Sequence, residues 1–248
     1  MLFIKYFIFL NKLKIYLDIF LIYKYNIMDS NISSLEKIRN NAIDMLIERK
    51  YDKTTLDNLH TLDNSEFIQA YKNNSININV KHTTKDEVAI IYFYNYRDKK
   101  LKREDVNMII ESIKADMNNK YKYNLILVVK DKPHSLILKR IISINNNDDD
   151  DDIDLTNLNV EIFYHHELII NITNHERVPK HIVLNNEEKA NVLKIYKCNH
   201  EQMPQYAIND PIVKYYGLKH GEMCKIIRKS KTSGNSIYYR IVNKNVTI

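Results

Sequence analysis

Asp210-Pro211-Ile212-Val213-Lys214-Tyr215-Tyr216-Gly217-Leu218-Lys219-His220-Gly221 spells out a short helix with both of its ends. Asp210 is a good N-cap, Pro211 fits the first helical position, and Gly217 supplies the left-handed residue that stops the helix. Leu218 falls where a Schellman motif places its closing apolar contact. Gly221 makes the next turn. The only three glycines are Gly217, Gly221 and Gly234, and Pro179, Pro204 and Pro211 are three of the four prolines. A chain that otherwise avoids both residues keeps them where the backbone must turn. The segment from Asn171 to Val242 is therefore the part whose shape is specified most tightly.

Working outward, Met223–Arg228 reads as a strand, Lys229–Ser236 as a glycine-containing loop and Ile237–Val242 as the return strand. Upstream, Asn185 caps a helix with Glu188 three residues on, and Ala190, Leu193 and Tyr196 give that helix an apolar face. A few strands with two helices against them make a small α+β module. Val160–Tyr164 and Glu167–Thr173 lead into it.

The N-terminal half alternates. Ser33 with Glu36 forms a capping box, and Leu35, Ile38, Ala42, Met45 and Leu46 recur at helical spacing through Arg49. Val88–Tyr96 reads as a buried strand, Arg97–Asp105 as a charged connection, and Val106–Met117 as a helix with Val106, Ile109, Ile110 and Ile113 on one side. Leu125–Val129 is a second buried strand and Ser135–Ile142 a short helix. This order predicts an α/β or α+β layer domain. Asn145–Asp152 is low complexity, and its acid run reads as a solvated loop rather than a calcium or magnesium site.

The chain has 248 residues, a net charge of +6 and 27% charged residues, so a polyanion partner is permitted without being demanded. Two distant cysteines, Cys198 and Cys224, form no disulfide framework, and a reducing, intracellular compartment is the simpler reading. Met1–Ile27 is apolar but broken by Lys5, Lys12, Lys14, Asp18 and Lys24, which argues against a spanning helix. It reads either as an interfacial anchor or, preferably, as a leader outside the working protein, with translation from Met28. No membrane partner is expected.

His165 and His166 are adjacent, so on a strand they point apart and share no ligand simply. His175 and His181 flank Pro179, and Cys198-x-His200 stands alone; zinc needs further ligands at recognisable spacing. Asp131-Lys132 is a loose nuclease candidate without a partner carboxylate. No glycine precedes position 217, so phosphate-binding fingerprints are excluded and no cofactor is expected. Basic residues gather at Arg97, Lys99, Lys100, Lys102 and Arg103, diluted by Asp98, Glu104 and Asp105. A second cluster is Lys225, Arg228, Lys229 and Lys231.

The run Ile172-Thr173-Asn174-His175-Glu176-Arg177-Val178-Pro179-Lys180-His181 resembles the ITHHELVPKH signature of the shared subunit 5 of eukaryotic DNA-directed RNA polymerases, a family with a counterpart in the archaeal polymerase. The resemblance continues through Asp210-Pro211, Tyr216–Gly221, Lys225–Gly234 and Tyr239-Arg240. Lys37–Tyr51 is similar to the family's first helix, which ends in an Arg-Gly-Tyr-like turn where this chain has Lys50 for the glycine. Leu125–Val129 precedes a loop whose family motif, Thr-Pro-Ser-Ala, is altered here to Lys132-Pro133-His134-Ser135.

The resemblance implies a non-catalytic polymerase subunit. Its α+β fold would comprise a leader (1–27), an N-terminal α/β jaw domain with a nuclease-like mixed sheet (28–165) and an assembly domain (166–248). The assembly domain would dock on the largest subunit within the polymerase. Pro179, His181, Asp210, Pro211, Gly217, Gly221, Arg228 and Gly234 would define the docking shape. The jaw would lie near downstream double-stranded DNA, with Lys99, Lys100, Lys132 and Ser135 as DNA-proximal candidates. A nuclear location is implied, or a viral factory and virion if the chain is viral. The competing reading is a free-standing nucleic-acid-binding protein or relic nuclease.

Overall fold

The structure, a computed structural model, describes residues 33–60, 66–67, 69–70, 76–94, 100–117, 120–146, 156–230 and 234–244. The leader, Arg97, Lys99, Lys231 and the acid run lie outside these residues. The chain divides into two compact units: one holds residues up to Ala42 with Asp57–Ile169, the other Ile43–Leu56 with Ile170 onward. Helix α1 (33–48) thus contributes to both.

The first unit is built on a mixed sheet of β1 (Ile78–Lys81), β2 (Glu87–Phe93), β3 (Lys122–Val129) and β4 (Leu158–Tyr164) in that spatial order. β1 is antiparallel to β2, while β2, β3 and β4 run parallel. Parallel neighbours need crossovers, and helices supply them: α3 (Arg103–Asp116) joins β2 to β3, and α4 (Ser135–Asn146) joins β3 to β4. After α1 and before β1 comes α2 (Lys53–His60).

β3 is central and buried on both faces from Leu125 to Val129, which is why it reads as an unbroken apolar run. Leu125, Leu127 and Val129 meet Val106, Ile109, Ile110 and Ile113 of α3 and Ile137, Ile141 and Ile144 of α4 in one core. Leu35, Ile38, Ala42, Met45 and Leu46 of α1 are all buried, as their spacing predicts. Arg39 is buried with them. Its guanidinium donates to the Leu59 carbonyl at 2.8 Å and the Ile76 carbonyl at 3.4 Å. The Asn41 amide donates to the Leu168 carbonyl at 2.7 Å.

Several boundaries differ from expectation. β2 ends at Phe93, before Tyr94. α3 begins at Arg103, three residues inside the expected connection, because Asp105 accepts from the Lys102 N–H at 3.0 Å and caps the first turn. α4 runs on to Asn146. Asn145 therefore belongs to the helix, not to the low-complexity loop. Its amide donates to the Val160 carbonyl at 2.9 Å and accepts from the Val160 N–H at 2.7 Å, so it stands in for a strand neighbour of β4. His165 and His166 open the short helix α5 (His165–Leu168) instead of lying on a strand, and Tyr164 stacks on His166 with centroids 5.4 Å apart.

The second unit carries a sheet in the order β5-β7-β8-β6. β5 (Lys180–Val183) and β8 (Gly234–Asn243) each pair antiparallel with β7 (Met223–Ser230), and β6 (Gln205–Ala207) pairs parallel with β8. β7 and β8 take up most of the expected Lys229–Ser236 loop, since pairing continues to Ser230 opposite Gly234. Helices α6 (Asn186–Tyr196) and α7 (Pro211–Tyr216) pack against the sheet strands.

Candidate protein-docking site

The module's shape rests on helix ends. Asp210 accepts from the Ile212 N–H at 2.8 Å, Pro211 occupies the first turn of α7, and Gly217 closes it at φ 62°. The Gly217 N–H bonds the Lys214 carbonyl at 3.1 Å and the Leu218 N–H the Val213 carbonyl at 2.9 Å, with Leu218 buried beneath: the Schellman geometry expected of this sequence. The Asn185–Glu188 capping box of α6 is reciprocal, with both bonds at 2.8 Å.

α1 ends in the same way. The Lys50 N–H bonds the Ile47 carbonyl and the Tyr51 N–H the Leu46 carbonyl, both at 3.0 Å, with Lys50 at φ 68°. Lys50 thus performs the glycine turn. An L-residue there is strained by roughly 1–2 kcal/mol. Lys50→Gly should therefore stabilise the chain by about 1 kcal/mol, read as a higher urea midpoint at unchanged m-value.

The preceding residue, Arg49, went unnoticed in the sequence because nothing local marks it. Its Nε donates to the Tyr215 carbonyl at 2.9 Å and its Nη2 to the Lys214 carbonyl at 2.7 Å, so a cation from α1 caps the carbonyl end of α7. Nearby in the same unit, the Asn171 amide donates to Asp44 at 3.4 Å.

His181 is buried on β5, and its Nε2 lies 2.9 Å from the Tyr206 hydroxyl. Among the described residues its buried Nδ1 has no hydrogen bond of good geometry, the Pro179 carbonyl offering only a weak one. Burial pushes the imidazole below its ordinary range; the Pro179 carbonyl and Asp210 pull it back, and Arg240 pushes it further down. Tyr216 also packs near the ring, with centroids 6.1 Å apart. Burial lifts Tyr206 to about 12 although the Arg240 guanidinium lies 4.9 Å from its ring centroid. A depressed histidine favours the fold while it is neutral. That contribution is complete above the unfolded value of about 6.5 and is lost as pH falls through it. Amide exchange along β5 and β7, corrected for intrinsic rate, should accelerate between pH 7.5 and 5.5 in the native chain and much less in His181→Asn.

Of the other residues singled out, Pro179, Asp210 and Gly221 are half-buried, while Pro211, Arg228 and Gly234 are exposed. Gly221 and Gly234 have φ 83° and 73°. The apolar face expected for α6 is corrected: Val192 is its buried residue, Leu193 is half-buried, and Ala190 and Tyr196 are exposed. Cys198 and Cys224 are free thiols; burial lifts Cys224 to about 12, so it is no nucleophile.

In the first unit, the carboxyl ends of the parallel strands β2, β3 and β4 lie at the same end of the sheet. Lys100, which follows β2, and Lys132 and Ser135, which follow β3, are exposed. His165 is held down by burial, with Lys130 adding to the effect and Asp131 opposing it. Among the described residues, no group of three or more His, Cys, Asp or Glu is placed to hold a metal ion, and no helix is long and apolar enough to cross a membrane.

Residues 170–242 match the family model described as RNA polymerase Rpb5, C-terminal domain. The matched segment spans all of the second unit's sheet strands except the last residue of β8. The chain is similar to the DNA-directed RNA polymerases I, II, and III subunit rpabc1 of Dictyostelium discoideum, 46% identical over 84 residues, covering 34% of this chain and 43% of that protein. It is likewise similar to subunit RPABC1 of Caenorhabditis elegans, 47% identical over 83 residues, covering 34% of this chain and 39% of that protein. The match thus spans less than half the length of these relatives.

Proposed function

We propose that the chain is a non-catalytic subunit of a multisubunit DNA-dependent RNA polymerase. The observation that carries this reading is the Rpb5 C-terminal domain match over residues 170–242. In this reading an assembly domain, 166–248, docks on the largest subunit through a surface shaped by Pro179, His181, Asp210, Pro211, Gly217, Gly221, Arg228 and Gly234. A jaw domain, 28–165, lies beside downstream double-stranded DNA. Lys99, Lys100, Lys132 and Ser135 meet its phosphates without reading sequence. Polymerisation belongs to the large subunits, and the chain works in the nucleus.

The rival reading, a free nucleic-acid-binding protein or relic nuclease, makes a different prediction. As a polymerase subunit, the isolated chain incubated with labelled duplex DNA and magnesium should leave the DNA intact. Its binding should be no tighter than about 10⁻⁶ M at physiological salt and should weaken as salt rises. Nanomolar affinity or magnesium-dependent cleavage would favour the rival.

A further inference from the structure

The two faces of the second unit's sheet are unlike. On one, His181, Cys224, Ile226, Val242 and Tyr206 are buried with α7 residues such as Val213. On the other, α6 covers only one end, where Val192 packs with Met223 and Ile241. Strand register sets what lies beyond that end, because alternate residues share a face. One row across the three antiparallel strands is Ile182, Lys225, Tyr239; the next is Lys180, Ile227, Ile237. Lys229 follows one step further along β7.

Ile182 is 37% exposed and Ile237 48%, and the covering helix ends in Ile195 and Tyr196, exposed 75% and 57%. Tyr196 meets Tyr239 edge-on with centroids 5.8 Å apart, so aromatic surface runs from the helix onto the sheet. No Asp or Glu stands in either row. The result is an apolar strip interleaved with lysines on a rigid sheet, a chemistry that selects its occupant. A nucleic-acid strand would satisfy the lysines but leave the isoleucines against phosphate and sugar. A purely apolar partner would strand the ammonium groups.

We infer that the face formed by these two rows docks a protein segment in which acidic and apolar side chains alternate, contributed by a neighbouring subunit of the polymerase. The inference rests on the subunit reading, adds the face used and the chemistry of what covers it, and takes Arg228, which the register puts on the opposite face, out of the contact. The apolar side chains seat between Ile182, Ile227 and Ile237, and the carboxylates meet Lys180, Lys225 and Lys229.

Adjacent strand positions give the test. Ile237 lies on this face, whereas Tyr238, 52% exposed, points to the other. The full chain is expressed in its own cells as Ile237→p-benzoyl-phenylalanine or Tyr238→p-benzoyl-phenylalanine, irradiated and purified with the polymerase. The position-237 probe should label a polymerase subunit within a segment of mixed acidic and apolar residues, and the position-238 probe severalfold less. Lys180→Glu/Lys225→Glu should reduce retention severalfold as salt is raised. Dominant labelling from position 238, or position-237 labelling of nucleic acid or of a basic segment, with the chain still in the polymerase, overturns the face while leaving the subunit reading intact. A chain absent from the polymerase even without substitution overturns both.

Discussion

Gly217→Val is expected to unfold or misdock the C-terminal module. The backbone there has φ 62°, and a Cβ built on Gly217 would lie 2.9 Å from Arg49 Cζ and 3.0 Å from Nη1. The left-handed conformation strains an L-residue by roughly 1–2 kcal/mol, more for a β-branched one. The new side chain must also drive out the guanidinium that caps α7. Hydrogen bonds from a charged donor contribute about 1.5–3 kcal/mol, so the total loss should reach about 3 kcal/mol or more. Urea unfolding followed by exchange of the α7 and β7 amides would measure it. A variant of native stability would show that the turn is not under the constraint described.

Arg49→Met should cost nearly as much by itself, about 2 kcal/mol, because it leaves the Tyr215 and Lys214 carbonyls without their cation while keeping the aliphatic stem. The two changes remove the same interaction, so they must not add. The double variant should be less destabilised than the sum of the singles by about 1 kcal/mol or more, whereas unconnected sites add within about 0.3–0.5 kcal/mol. Strict additivity would mean that the guanidinium is not what excludes a side chain from position 217.

This contact sets Gly217 apart from the other helix ends. α1, α6 and α7 all end in a left-handed residue, at Lys50, Lys197 and Gly217. At Lys50 and Lys197 the penalty is conformational strain, which the chain tolerates despite having almost no glycine. At Gly217 a side chain would in addition have to displace the Arg49 guanidinium from its bonds to the Lys214 and Tyr215 carbonyls.

Legibility followed the same division. Asp210, Pro211, Gly217, Asn185 and Glu188 announced their helix ends because caps act within a turn. The alternation of β2, α3, β3 and α4 was readable because their buried faces are continuous. Arg49 was not, since its partners lie 165 and 166 residues away and a lone arginine at a helix end carries no local signal. Asn145 was masked by its asparagine neighbours, although a tertiary bond to Val160 fixes its place. The α6 face was misassigned because helical spacing gives a stripe, whereas burial depends on how far the sheet reaches beneath it; only Val192 is fully covered. The half-open sheet, with Ile182 and Ile237 exposed, becomes visible only once the register is known.

The most direct measurement is affinity purification of the C-terminally tagged full chain from its own cells in mild salt, with mass spectrometry of what accompanies it. Recovery of the two large RNA polymerase subunits is expected, with Gly217→Val recovering them poorly. Repeated recovery of the chain alone, from lysates in which the polymerase is intact, would contradict the subunit reading.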